Sequence, residues 1–432
     1  MKLVGVPRLP LVPDPLRRIR IPRELEPIIS IADEVDPEPL GLQRRTVERI
    51  WEAAVDLYRS GVHPALTLCL RRHGRVVLDR AIGHARGNGP DDDPETPKVL
   101  ATPETPFCVF STSKAFTAMV IHVLTERGAL SLEDRVADYI PEYAAHGKEE
   151  TTIGHVLAHR AGIPTLPDEV LDLERVGDRD FITRTIAEAK PFVKPGTLLA
   201  YHAVSGGFIL GEVVARATGK SIRAVLDEEI LAPLGFRWGN YGVAEADTGA
   251  VGLSYATGPR LLPPLSTLTR RVLGAPIEKV VEISNDPRFL TAVLPSANTV
   301  VTAHELSRFF EIFRAGGELD GVRVIEPTTL RRALTEQSRL EIDLSLLFPS
   351  RFGYGLMLGA DWLSLFGRDT DLAFGHLGLI NIMGWADPAR GISGGLITSG
   401  KALVYPEVHR FYRLMQRIAS EVPKVPESER PF

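Results

Sequence analysis

The sequence is short of several things, and each shortage removes a class of function. Its 432 residues include two cysteines, Cys69 and Cys108. Both lie in apolar runs, so they read as buried thiols, with one disulfide between them as the alternative. No apolar run is long enough to span a membrane. Prolines break up the first 18 residues, where a secretory signal needs a continuous apolar core. The net charge is only −5, which argues against nucleic acid as a partner. Metal-binding spacings are also missing. Asp91, Asp92 and Asp93 lack the twelve-residue pattern of a calcium loop, and His155 and His159 are followed by no glutamate of the zinc-protease kind, since Val156 follows the first. A cytoplasmic protein without metal or cofactor, binding neither membrane nor nucleic acid, is the expectation.

What remains is an ordinary globular composition, 44% hydrophobic and 24% charged. Residues 1–40 are Pro-rich, with arginines followed by acids, and read as an extended arm without its own core. The arm is free to wrap the domain or to join a second copy into a homo-oligomer. Residues 41–420 form the expected domain, and 421–432 a mobile tail. Val47, Ile50, Trp51, Ala54, Val55 and Tyr58 line one helical face. Ala65–Leu70 and Val76–Leu78 predict a hairpin, Phe352–Leu358 a strand, the stretch from Ala373 to Trp385 further strand, and Ser393–Thr398 its return. Helices are predicted near 303–313 and 406–418, and long loops over 236–290. Strands thus lie at both ends and helices in the middle. This predicts an α+β fold: an antiparallel sheet flanked by helices (about 41–105 and 291–420) with an inserted, mainly helical lobe (about 106–290) and a site in the cleft between them.

One stretch carries chemistry. Ser111 and Lys114 are three residues apart, at the start of a helical pattern running through Phe116, Met119, Val120, Val123 and Leu124 to Gly128. On a helix, positions i and i+3 share a face, so the lysine amine reaches the serine hydroxyl. First-turn N–H groups lack intrahelical partners and are free to donate to an anion. A nucleophile, a proton acceptor and an oxyanion donor therefore meet in one turn. The plainer alternative is a helix cap with Lys114 in solvent.

Two later stretches complete a resemblance. Ser111-Thr-Ser-Lys114, then Tyr201-His202-Ala203 after Pro195-Gly196, then His376-Leu377-Gly378 resemble, in order, the three motifs of the β-lactamase-related serine hydrolases. That superfamily holds the class C β-lactamases, the DD-peptidases and the family VIII carboxylesterases, and the resemblance to the last is greatest. It implies the β-lactamase/transpeptidase-like fold, with Ser111 as nucleophile and Lys114 and Tyr201 as the base system, either of them taking the proton. It also implies an oxyanion hole from the backbone N–H groups of Ser111 and Leu379, and Ala203, His376 and Gly378 lining the substrate site. Lactamases carry Asn in the second motif and Lys in the third, where this chain has Ala203 and His376. Both departures favour uncharged small-molecule esters. A D-amino-acid peptidase, a weak β-lactamase or an acyltransferase would use the same site, and a non-catalytic self-assembling scaffold is the rival of another class. Gly391-Ile-Ser393-Gly-Gly395 fits a nucleophile elbow, but a turn precedes its serine and a strand follows.

Overall fold

The computed structural model describes residues 14–339, 341–406 and 408–431. Its main sheet holds β1 (Ile29–Ile31), β2 (Ala65–Arg72), β3 (Arg75–Arg86), β4 (Met357–Leu358), β5 (Phe374–Gly378), β6 (Ile382–Asp387) and β7 (Ile392–Thr398). Their order is β1-β3-β2-β7-β6-β5-β4, antiparallel throughout, with Val99–Leu100 paired to β3 off this path. The two ends of the chain meet where β7 pairs with β2. The β2–β3 hairpin turns on His73 and Gly74, both with positive φ (49° and 78°), the backbone that a tight two-residue hairpin needs.

The longer helices are α1 (Arg44–Tyr58), α2 (Ser113–Glu126), α3 (Ser205–Thr218), α4 (Ala303–Arg314) and α5 (His409–Glu421). Helices α1 and α5 pack together on one sheet face, with Ile50, Ala54, Leu414 and Ile418 against Leu66, Leu68 and Leu70. Helix α4 covers the other face, where Ala65 and Cys69 point. Period-two alternation therefore sorts β2 between two cores, and every residue of β2 is buried. Gly384 and Gly395 are paired across β6 and β7. A Cβ on Gly384 would come within 2.3 Å of the Phe310 ring, and one on Gly395 within 2.5 Å of the Ala303 carbonyl. Two side-chain-free positions thus let α4 lie directly on the sheet.

Several elements differ from expectation. The residues from 373 to 385 are two strands joined by a turn at Leu379–Asn381. Of Phe352–Leu358 only Met357 and Leu358 pair in the sheet, because Gly355 turns the chain at φ 89° to pack on Ala118. The 236–290 segment holds short helices at Leu265–Leu273, Ile277–Ser284 and Pro287–Thr291. The described part of the arm lies on its own chain: β1 extends the sheet beside β3, and Ile19, Leu25 and Ile28 are buried. The tail, expected to be mobile, packs as well. Val422 and Val425 are buried, and the Val425 N–H donates to the Ala389 carbonyl at 2.7 Å. Residues 1–13 of the arm lie outside the described residues. Among the described residues no helix is long and apolar enough to cross a membrane.

Candidate active site

A short strand, Phe107–Cys108, pairs with Thr299–Val301 and delivers the chain into a 3₁₀ turn, Phe110–Thr112, which runs directly into α2. Ser111 sits in that turn, two positions before the first α-helical residue, half-buried, after Phe110 in the left-handed region (φ 47°). The neighbours of Ser111 anchor the turn. Thr112 donates its hydroxyl to the His376 carbonyl at 3.2 Å, and the Ser113 hydroxyl accepts from the Thr299 N–H at 2.9 Å.

Lys114 lies one helical turn on and points back. Its Nζ is 3.3 Å from the Ser111 Oγ, and it donates to the carbonyls of Ala203 (2.7 Å) and Ser296 (3.2 Å). Among the described residues no carboxylate pairs with this buried amine. Burial therefore lowers its pKa to about 7.

Tyr201 places its ring centroid 4.8 Å from the Lys114 amine. Burial pushes its phenol upward, and its hydrogen bond with the Ser111 hydroxyl pulls the other way. The strand-like segment before it is held from the side. The Asp343 carboxylate accepts from the Tyr201 N–H at 3.0 Å, and from Ser345 and Leu346 at 2.8 and 3.0 Å. Glu341 accepts from the Leu199 N–H at 3.1 Å and pairs with Arg160.

His376 is buried on β5, its ring 6.3 Å from that of Tyr201. Its Nδ1 donates to the Leu377 carbonyl at 2.8 Å, and Nε2 has no hydrogen-bond partner among the described residues. Burial and the nearby Lys114 lower its pKa to about 3, so the ring is neutral across the working range. Gly378 ends the strand. A Cβ there would lie 2.4 Å from the Val109 carbonyl and 2.9 Å from the Thr112 Oγ1, so glycine is what lets β5 press against the Ser111 turn. Leu379, half-buried, follows in the β5–β6 turn.

Ser111, Lys114 and Tyr201 thus converge, Ala203 meets them through its carbonyl, and His376 and Gly378 come from the facing strand. The β-lactamase family profile matches residues 44–415. The chain belongs to the β-lactamase family.

Similar proteins are named for different activities. The chain is 29% identical over 307 residues to the esterase/β-lactamase LipL of Mycobacterium tuberculosis, covering 67% of this chain and 68% of LipL. A penicillin-binding protein homologue from Caulobacter crescentus superposes with a TM-score of 0.74 at 26% identity, covering 91% of this chain and all of that one. A family VIII carboxylesterase superposes at 0.73 and 25% identity, covering 90% and 99%.

Three participants escaped sequence reasoning: Ser296, Glu341 and Asp343. Ser296 offers only a backbone carbonyl, which any residue type supplies. Asp343 acts on Tyr201 across 142 positions, with no local motif to mark it. The decoys resolve simply. Ser393 is fully buried in β7 and donates to Glu311 at 2.8 Å. His155 caps its own helix at Thr152, and the His159 ring lies 4.6 Å from that of Tyr201, tilted by 52°. Asp92 and Asp93 accept from the N–H groups of Gly89 and Glu95 within their own loop.

Cys69, Asp79 and His304 also gather under α4. The His304 ring sits 2.7 Å from Asp79 and 2.8 Å from the Arg71 guanidinium. A guanidinium only donates, so Nε2 is the acceptor and Nδ1 carries the proton toward Asp79. Both ring nitrogens are engaged and a cation stands beside them, which is poor ground for a metal. Both cysteines are free and buried.

Proposed function

We propose that this chain is a serine hydrolase that cleaves carboxylic esters of small molecules through an acyl-enzyme on Ser111. The observation that carries the reading is the donor count at Lys114. An ammonium has three hydrogens, and the amine meets two carbonyls and one hydroxyl. Once the amine is neutral, its two hydrogens satisfy the carbonyls of Ala203 and Ser296. Its lone pair then faces the Ser111 hydroxyl. A pKa lowered to about 7 supplies that neutral form near neutral pH. Lys114 takes the Ser111 proton as the hydroxyl attacks the ester carbonyl. Tyr201, a phenol held protonated by burial, lies beside serine and lysine, hands a proton to the leaving alkoxide and regains one from the Lys114 ammonium, which restores the neutral amine. The N–H groups of Ser111 and Leu379 stabilise the oxyanion. Water then attacks the acyl-enzyme, with the same base accepting its proton.

The substrate side favours uncharged, apolar esters. His376 is neutral and Ala203 brings no polar side chain, so neither anchors a carboxylate. Leu198, Ile342, Leu344, Leu347 and Phe348 are exposed on the two segments that Asp343 ties to Tyr201. Two unpaired thiols suit a reducing, cytoplasmic setting. A second reading, β-lactam hydrolysis on the same serine, is favoured by the name of LipL, which carries both activities.

Hydrolysis of a short-chain p-nitrophenyl ester, measured beside a chromogenic cephalosporin for wild type and Ser111→Ala, separates these readings. Ester turnover lost in the variant, with little cephalosporin turnover, supports the esterase. Dominant cephalosporin turnover moves the assignment to the lactamase reading. Ester turnover that survives the substitution contradicts Ser111 as nucleophile.

A further inference from the structure

Behind the β5–β6 turn lies a buried polar cluster that the chemistry above does not use. Asn381 closes the turn in the left-handed region (φ 59°), a backbone that asparagine tolerates better than most residues. Its side chain points inward, and Asn381, His63 and Tyr405 are all buried.

The hydrogen bonds of this cluster have one consistent direction. His63 Nδ1 lies 3.2 Å from the Gly400 carbonyl, which only accepts, so Nδ1 carries the proton and Nε2 is an acceptor. Asn381 Nδ2 then donates one hydrogen to His63 Nε2 at 3.3 Å and the other to the Tyr405 hydroxyl at 2.7 Å. Burial, with help from Lys401, lowers the His63 pKa to about 3, which keeps that acceptor available at any working pH. The backbone of the turn is pinned too. The Thr398 hydroxyl donates to the Ile380 carbonyl at 2.9 Å and is shared with that of Asn381 at 3.3 Å.

The same stretch of chain reaches the other side of the site. Lys401 donates to the Thr398 carbonyl at 2.5 Å and holds its amine 5.0 Å from the ring centroid of Phe110, the residue before Ser111. One segment, 398–405, therefore touches both turns that carry the proposed oxyanion donors.

We infer that Asn381, gripped by His63 and Tyr405, is a positioning residue that aims the Leu379 N–H at the developing oxyanion. The inference rests on the acyl-enzyme reading above. An oxyanion donor is effective only where its hydrogen points at the oxygen as charge develops. Without its grip the donor is still present but swings. The expected loss is therefore smaller than for deleting a donor: roughly 10- to 100-fold in kcat, with KM changed less than about 3-fold.

The test is infrared difference spectroscopy of a ¹³C-carbonyl acyl-enzyme, with intact-mass confirmation that the acyl group is on Ser111. A well-aimed donor polarises the acyl carbonyl and lowers its stretching frequency. Asn381→Ala and His63→Leu are expected to raise that frequency and to lower kcat. His63→Gln, which still accepts from Asn381 and donates to Gly400, is expected to restore both. Tyr405→Phe, the mildest change, is expected to move the band the same way and serves if the others fail to fold. Acyl-enzyme on Ser111 with an unmoved carbonyl band in these variants overturns the inference and leaves the esterase reading standing. Absence of any adduct on Ser111 in the wild type overturns that reading, and the inference with it.

Discussion

Two lysines, 34 positions apart, illustrate two uses of a buried amine. Lys148 donates all three of its hydrogens to backbone carbonyls, those of Ala145, Ala187 and Ala189, at 2.9, 2.8 and 2.7 Å. It has no slot left for chemistry and pins a turn to the end of the Arg179–Glu188 helix. Lys114 meets only two carbonyls, and its third slot is a serine hydroxyl. Burial lowers both pKa values, to about 8 and about 7. Burial alone therefore does not make a base. What distinguishes Lys114 is the position left open for a lone pair.

The largest effects that would break this comparison concern the nucleophile and its base. Ser111→Ala is expected to lower ester kcat by roughly 10⁴–10⁶-fold. Lys114→Met is expected to lower it by roughly 10²–10⁴-fold without lowering Tm. Steady-state kinetics beside thermal melts checks both. A Lys114→Met protein that keeps wild-type activity would make the two lysines equivalent.

Lys148→Met should do the reverse. It leaves three carbonyls without their donor, a destabilisation of about 2–4 kcal/mol, while kcat per folded molecule stays near wild type. Urea unfolding with parallel kinetics measures the split.

Titration sharpens the contrast. Activity is expected to rise with pH through about 7 as Lys114 loses its proton. That rising limb should persist in Lys148→Met. The stability sign follows from the same shift. The unfolded lysine holds its proton up to about 10.4. Between about 7 and 10 the unfolded chain thus binds more protons than the folded one, and stability gains with pH. Denaturant melts of wild type and Lys114→Met across that range are expected to show a steeper rise in the wild type.

The smallest effect is at the clamp on Tyr201. Asp343→Asn keeps one oxygen to accept from the N–H groups of Tyr201, Ser345 and Leu346. It is expected to lower kcat less than about 3-fold, whereas Asp343→Ala lowers it roughly 10-fold. Equal kinetics for wild type and both variants would remove the clamp from the account.

How much of this was legible in the sequence follows from how far each contact reaches. Ser111 and Lys114 are three positions apart on one turn, so spacing puts them within reach, while the later motifs were needed to prefer that over a helix cap with Lys114 in solvent. Tyr201 was reached through its Pro195-Gly196 context and the order of motifs, not through any local signal. Ser296 and Asp343 act through backbone groups across 182 and 142 positions, and no residue pattern encodes that. The turn at Leu379–Asn381 lies inside an apolar run with no proline, so one stretch of strand was expected where two strands pair. The helices of 265–291 are short, five to nine residues, too few turns for a clear apolar period. The tail lacked periodicity as well, yet two valines are enough to dock it.

The most direct test of the central claim is peptide mapping of the protein quenched during turnover of an activated ester, repeated across pH. The account predicts a single acyl adduct on the peptide holding Ser111, absent in Ser111→Ala, forming faster as pH rises through about 7. An adduct on another residue, or formation on Ser111 at a rate indifferent to pH across that range, would contradict it.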